Sequence, residues 1–237
     1  MPRFFVPKDN ISDHKITICG EDVLHIGKVL RLRKGDEITV CDGAGTDYEC
    51  AIDAVSKKEV IVSIMSSSQN VCEDGVKITL YQSLPKASKM DFVIQKCVEL
   101  GIDAFTPFIS ARSVAKGDKS GRYRKISLEA AKQCGRGCVP SVSDITDFDG
   151  ALKSLMENEL AIFAYEEEKD IALKSVLKEK TPKSIGIMIG PEGGFAPEEA
   201  EKAKAAGALC VTLGKRILRT ETAGMVVLAQ TVYELGL

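Results

Sequence analysis

The chain has 237 residues, 44% hydrophobic and 28% charged, with a formal net charge of −2 and no tryptophan. That length can bury one large core or two small ones, and the composition is that of a soluble globular protein. No apolar run approaches the ~18 residues that a membrane span needs, and the opening MPRFFVPKDN lacks the apolar core of a signal peptide, so the expected compartment is the cytoplasm and no membrane partner is expected.

Residues 1–70 predict a small β-rich domain. Short strand candidates fall at 3–6, 15–18, 37–41, 48–52 and 60–64, with turn residues between them, and one helix is expected over 22–30. Short strands with one helix suggest a small barrel. The polar stretch 66–75, SSSQNVCEDG, reads as a linker. From there the hydrophobic period changes. A strand at 76–84 precedes a helix with Ser88 and Asp91 as a capping-box-like start, and Met90, Val93, Ile94, Cys97 and Val98 lie on one helix face. Strands at 104–109 and 160–165, a basic loop at 116–121, and helices at 122–134, 151–156 and 171–177 follow. Strands alternating with helices predict a parallel sheet covered on both faces, in a domain spanning 76–237.

Eight cysteines are scattered at 19, 41, 50, 72, 97, 134, 138 and 210, without a CxxC pair, and only His14 and His25 could join them as imidazole ligands. Free thiols and no metal site are the expectation. The charge is segregated. Residues 25–34 carry Lys28, Arg31, Arg33 and Lys34 with no acid. Residues 110–136 carry Arg112, Lys116, Lys119, Arg122, Arg124, Lys125, Lys132 and Arg136 against Asp118 and Glu129, while Glu166, Glu167 and Glu168 collect elsewhere. Two acid-poor clusters on a near-neutral chain suit RNA; a solvated charged face would look the same.

The chain is organised around 185–223. An apolar run at 185–189 ends on Gly190 and a turn, Pro191-Glu192-Gly193-Gly194; a helix started by Pro197 and stopped by Gly207 follows. A second run at 209–213 ends on Gly214 and the loop 215–219, before a helix that Thr220 could cap and that runs to about Leu235. Two glycine-bearing loops at the carboxyl ends of buried strands suit a small-molecule cradle in which backbone meets the ligand, with Gly193 and Gly214 as points of close approach. Ordinary loop punctuation is the competing reading. Neither a dinucleotide fingerprint nor a Walker A loop fits this spacing. The last helix is apolar around most of its circumference, including Met225, Val226, Val227, Leu228, Val232 and Leu235. That suggests contact with its own sheet and with a second subunit, hence a homodimer.

IGPEGGF, LGKRILRTETA, the opening MPRFFV, HIGKVLRLRKGDEITVCDG and KMDFVIQKCVELG together resemble the SPOUT-class bacterial 16S ribosomal RNA uracil-N3 methyltransferases of the RsmE type. The resemblance covers nearly the whole chain. It implies a parallel-sheet α/β SPOUT domain with a C-terminal trefoil knot, preceded by a PUA-like β-barrel RNA-binding domain. It further implies S-adenosylmethionine as cofactor, 16S rRNA of the small ribosomal subunit as substrate, and a homodimer. The cofactor-binding positions it implies are Tyr165, Gly190, Pro191, Glu192, Gly193, Gly194, Leu213, Gly214, Ile217, Leu218, Thr222 and Ala223. Arg3, Lys28, Arg31, Arg33, Arg112, Lys119, Arg122 and Arg124 are the candidate RNA contacts. QCGRGCVP at 133–140 resembles a Q-S-G-R-x-R-V-P segment, with Cys134 and Cys138 departing from it and Arg136 matching. Uracil N3 must lose a proton, so an arginine beside it would stabilise the ring anion without serving as base. Arg136, aided by Arg219, is the candidate for that role, and Glu192, Glu221 or water could accept the proton. A noncatalytic RNA binder, and a SPOUT enzyme acting on transfer RNA or a ribose hydroxyl, are the alternatives.

Overall fold

The computed structural model describes residues 1–72, 75–114, 117–178 and 180–237. Lys116 and two residues of the expected linker, 73 and 74, lie outside the described residues. The chain divides into two compact units, one of Met1–Glu73 with Ala131–Val139 and the other of Asp74–Ala130 with Pro140–Leu237.

In the first unit, β1 (Arg3–Phe5), β2 (Lys15–Cys19), β3 (Glu37–Cys41), β4 (Thr46–Val55) and β5 (Glu59–Gln69) form one curled sheet in the order β1-β3-β4-β5-β2. Alternating burial along β2 and β3 turns Ile16, Ile18, Ile38 and Val40 inward, where they meet Phe4, Ile26, Ile52, Val60 and Val62. The expected single helix is instead α1 (Glu21–Leu24) followed by a π-turn, His25–Val29. The start of the expected linker is strand: Tyr48, Asp47 and Thr46 pair with Ser67, Ser68 and Gln69. Hydrogen-bonding to a neighbouring strand there overrides a polar, turn-like composition. Residues 131–139, expected in the catalytic domain, cluster with this unit. Asn70 Nδ2 donates to Gly135 O at 3.0 Å, and Lys132 Nζ lies 2.9 Å from Asp22 Oδ1.

The second unit is built on a parallel sheet of seven strands. In chain order its elements are β6 (Lys77–Ser83), α2 (Lys89–Glu99), β7 (Ala104–Ile109), α3 (Ser120–Cys134), β8 (Ser141–Val142), β9 (Thr146–Asp147), α4 (Phe148–Leu155), β10 (Leu160–Ala164), α5 (Leu173–Leu177), β11 (Ser184–Ile189), α6 (Pro197–Ala206), β12 (Leu209–Val211) and α7 (Thr220–Leu235). The sheet order is β12-β10-β11-β6-β7-β8, with β9 also on β7. Near-continuous burial of β10 and β11 is what helices on both faces require. The last turn of α3, Ala131 to Cys134, belongs with the first unit; the helix itself is unbroken.

Local chemistry sets the boundaries, not always as the sequence suggests. Pro197 opens α6 and Gly207, at φ 96°, closes it. Ser88 makes no side-chain cap to α2, and Thr220 is the first residue of α7 rather than its cap; Arg219 holds the cap position. Phe108, Phe148, Phe163 and Phe195 form the aromatic centre of the core, Phe163 and Phe195 with ring centroids 4.2 Å apart. Among the described residues no helix is long and apolar enough to cross a membrane. Cys41, Cys50, Cys97 and Cys210 are buried free thiols, and burial raises Cys97 to about 12. Cys134 and Cys138 are half-buried, and Cys19 and Cys72 are exposed.

Candidate active site

A cavity of about 870 Å³ opens in the second unit where the carboxyl ends of β10, β11 and β12 meet the start of α7. Tyr165, Gly190, Pro191, Glu192, Gly193, Gly194, Leu213, Gly214, Ile217, Leu218 and Ala223 all line it, with Arg219. The parallel sheet thus collects residues from three separate loops. Thr222, also expected there, is not on its wall. Ile217 is 87% exposed at the rim. Arg136 belongs to the first unit, where it is 4% exposed.

Backbone geometry explains the glycines at two positions. Gly194 has φ 67°, and a Cβ there would run into the Glu166 carboxylate; Gly214 has φ 110° with open space around it. Gly193 has no positive φ, and a Cβ there would only touch Arg112 at 3.4 Å, so the expectation of close approach moves from Gly193 to Gly194.

Polar contacts hold the first loop from three directions. Thr220 Oγ1 donates to Gly190 O at 2.6 Å, and buried Gln82 Nε2 donates to Thr220 Oγ1 at 3.0 Å. Arg112 donates to Gly193 O at 2.8 Å. Glu199 accepts from Ala196 N and Ala111 N at 2.9 and 2.8 Å, tying the start of α6 to the loop after β7. Lys89, on α2, reaches Glu192 Oε1 at 3.0 Å and Glu221 Oε2 at 3.2 Å. Glu192 first and Glu221 second raise the Lys89 pKa above its ordinary value. Burial would raise the Glu192 carboxyl, but hydrogen bonds from Lys89 and the Lys86 N–H hold it below the usual carboxylate range. Sequence reasoning missed Lys89, Gln82 and Thr220 as a support layer. The available signal was a pair of acids, Glu192 and Glu221, one in each glycine-bearing segment.

The proposed RNA contacts divide by environment. Lys28, Arg31 and Arg33 are exposed around the π-turn of the first unit. Arg3 instead grips Asp47 through both terminal nitrogens, at 2.6 and 2.9 Å, with its side chain 15% exposed. In the second unit Lys119 is exposed, Arg122 pairs with Asp91 and Arg124 with Asp144, each at 2.6 Å. The cluster that is acid-poor in sequence is therefore partly neutralised in space. Such exposed pairs are weak and exchange readily for phosphate. Among the described residues no group of three or more His, Cys, Asp or Glu side chains is placed to hold a metal ion.

Fold and cavity together define an RNA methyltransferase of two parts. Residues 72–232 match the RNA methyltransferase domain, and residues 18–65 match the RNA methyltransferase PUA domain. A Bacillus subtilis protein named ribosomal RNA small subunit methyltransferase E is 36% identical, over 99% of this chain and 97% of its own. The crystal structure of a ribosomal RNA small subunit methyltransferase E from Neisseria gonorrhoeae bound to S-adenosyl methionine is 33% identical, with a TM-score of 0.87 over 98% and 97% of the two chains. A Legionella pneumophila methyltransferase structure in complex with the same cofactor is 29% identical, with a TM-score of 0.88 over 98% and 97%. The chain belongs to the ribosomal RNA small subunit methyltransferase E family.

Proposed function

We propose that the protein transfers a methyl group from S-adenosylmethionine to N3 of one uridine in 16S rRNA of the small ribosomal subunit. The observation that carries this reading is the cavity framed by both glycine-bearing loops at the carboxyl edge of the sheet. Its size suits a nucleoside-sized ligand, and the Gly194 backbone, at φ 67°, favours glycine there. Tyr165, Gly190 to Gly194, Leu213, Gly214, Ile217, Leu218 and Ala223 would hold the cofactor. When bound, it supplies an electrophilic methyl on a sulfonium.

The protein's own task is to align that methyl with uracil N3 and to stabilise the anion left when N3 loses its proton. The base must be unpaired to be reached. Arg219 lines the cavity at the start of α7, which supports assigning it to the developing charge, and Arg136 is the second candidate arginine. Glu192 is a poor proton acceptor, because its depressed pKa makes it a weak base and Lys89 already occupies it. Glu221 shares the same lysine. Water is left as the acceptor.

The exposed basic side chains at Lys28, Arg31, Arg33, Arg112, Lys119, Arg122 and Arg124 would contact RNA phosphate, and Arg3 would position the first unit through Asp47. The protein would act in the cytoplasm as a homodimer, with the C-terminal segment threaded as a trefoil knot. Support for the dimer comes from α7. Val227 and Leu228 are fully buried within the chain, yet Tyr233 on the same helix is 85% exposed, and Phe92 on α2, which packs against α7, is 45% exposed. Calorimetry with S-adenosylmethionine, followed by methyl transfer to small subunits lacking the modification, tests the reading. Tight RNA binding with no cofactor binding would reject it in favour of a noncatalytic binder.

A further inference from the structure

Three glutamates line the cavity, and two of them are used by the protein itself. Glu192 accepts from Lys89 and the Lys86 N–H. Glu168 Oε1 accepts the backbone N–H groups of Lys169, Asp170 and Ile171 at 3.1, 2.9 and 3.2 Å, a turn brace that holds its carboxyl below the usual range. Glu166 differs. It makes no hydrogen bond or ion pair with any described residue, although it stands two residues beyond the end of β10 with its carboxylate laid against Gly194 Cα. An ionised carboxylate is acceptor-only and offers two oxygens, which suits a pair of adjacent hydroxyl donors.

We infer that Glu166 binds the 2′- and 3′-hydroxyls of the cofactor ribose, an inference that rests on the cofactor reading above. The amino-acid end of the cofactor carries a carboxylate, and Lys215 and Arg216 of the second loop supply cations for it. Among the cofactor's donors, the adjacent 2′- and 3′-hydroxyls match the two acceptor oxygens of a carboxylate resting on the first loop. A Cβ at position 194 would push aside the carboxylate that the ribose needs.

The test is calorimetry on the full chain with three probes: S-adenosylmethionine, 5′-methylthioadenosine, which lacks the amino-acid end, and the 2′-deoxy form of the latter. Glu166→Ala should weaken the first two by similar factors, about tenfold or more, and should erase the wild-type preference for the ribose over the deoxyribose form. Glu166→Gln, with one acceptor oxygen and one donor nitrogen, should fall between. Loss confined to S-adenosylmethionine would place Glu166 on the ammonium and overturn the inference. Equal weakening of all three probes, with the preference for ribose retained, would reduce Glu166 to a loop support and overturn it too. Failure of the wild type to bind S-adenosylmethionine would overturn the cofactor reading itself, a result separable from the others because it needs no variant. Glu166 is exposed, so matched circular dichroism and melting temperature are expected for both variants.

Discussion

Thr220 donates its hydroxyl to the Gly190 carbonyl over 2.6 Å, joining the first residue of α7 to the end of β11. The same hydroxyl accepts from buried Gln82, so one side chain couples the end of β11 and the start of α7 to β6, the strand beside β11. Thr220→Val keeps the shape and removes the donor. It should destabilise the protein by about 1–3 kcal/mol, because a carbonyl and an amide lose their partner where water cannot easily replace it. It should also weaken cofactor binding, while Thr220→Ser should restore both. Urea unfolding and calorimetry on the pair of variants check this; unchanged affinity in Thr220→Val would make the bond structural alone.

Lys89 separates two carboxylates, and removing it should be felt as charge. Glu192 has a depressed pKa in the fold, so its contribution to stability is present above its unfolded value of about 4.3 and is lost as pH falls through the lower folded value. Lys89 has a raised pKa, so its contribution is present below its unfolded value of about 10.4 and is lost as pH rises through the higher folded one. Neither group changes protonation between about pH 6 and 9, so the bridge adds no pH dependence to wild-type cofactor affinity there. Lys89→Met leaves Glu192 and Glu221 facing each other without their common cation, which raises the pKa of one of them. Its affinity should fall and gain a pH dependence on the acidic side. A flat profile for the variant would contradict the bridge.

Two neighbouring glycines should behave differently. Gly194→Ala combines an unfavourable φ of 67° with a clash against Glu166 and should abolish cofactor binding in a folded protein. Gly193→Ala meets only the Arg112 side chain at 3.4 Å and should retain binding within a few-fold. Equal loss from both would mean that the loop tolerates no side chain anywhere.

The buried and exposed sides of α7 separate folding from association. Val227→Asp places a charge at a fully buried position and should unfold the chain, at a cost of about 4 kcal/mol or more. Tyr233→Asp alters a residue that is 85% exposed and should leave the fold intact while weakening the dimer. Sedimentation of Tyr233→Asp as a stable dimer would remove that face from the interface.

The legible part of the fold was the part governed by period and punctuation. β7 and α7 occupy the residues that apolar patterning assigns, and Gly207 and Pro197 bound α6 as their backbone preferences require. The illegible part depended on long-range pairing. Ser66 to Gln69 read as linker because their composition is polar, yet strand β4 lies beside them. Residues 131–139 follow a helix of the second unit in sequence but bond to Asn70 and Asp22 of the first. The two glycine loops advertised a cradle at the strand ends, and the family resemblance supplied most of the individual positions that line the cavity. Lys89 and Glu166 were not legible, since what marks them is which carboxylate has a partner and which has none. Arg122 and Arg124 looked like part of an unopposed basic run until Asp91 and Asp144 were brought beside them.

Site-resolved methyl transfer tests the account most directly. Small ribosomal subunits from a strain lacking the modification are incubated with the protein and isotope-labelled S-adenosylmethionine, and the rRNA nucleosides are mapped by mass spectrometry. The account predicts label in 3-methyluridine at one position of 16S rRNA, with the yield lost in Gly194→Ala and sharply reduced in Arg219→Ala. Label on a ribose hydroxyl, on another base or in transfer RNA, or no label from a protein shown to bind the cofactor, would contradict it.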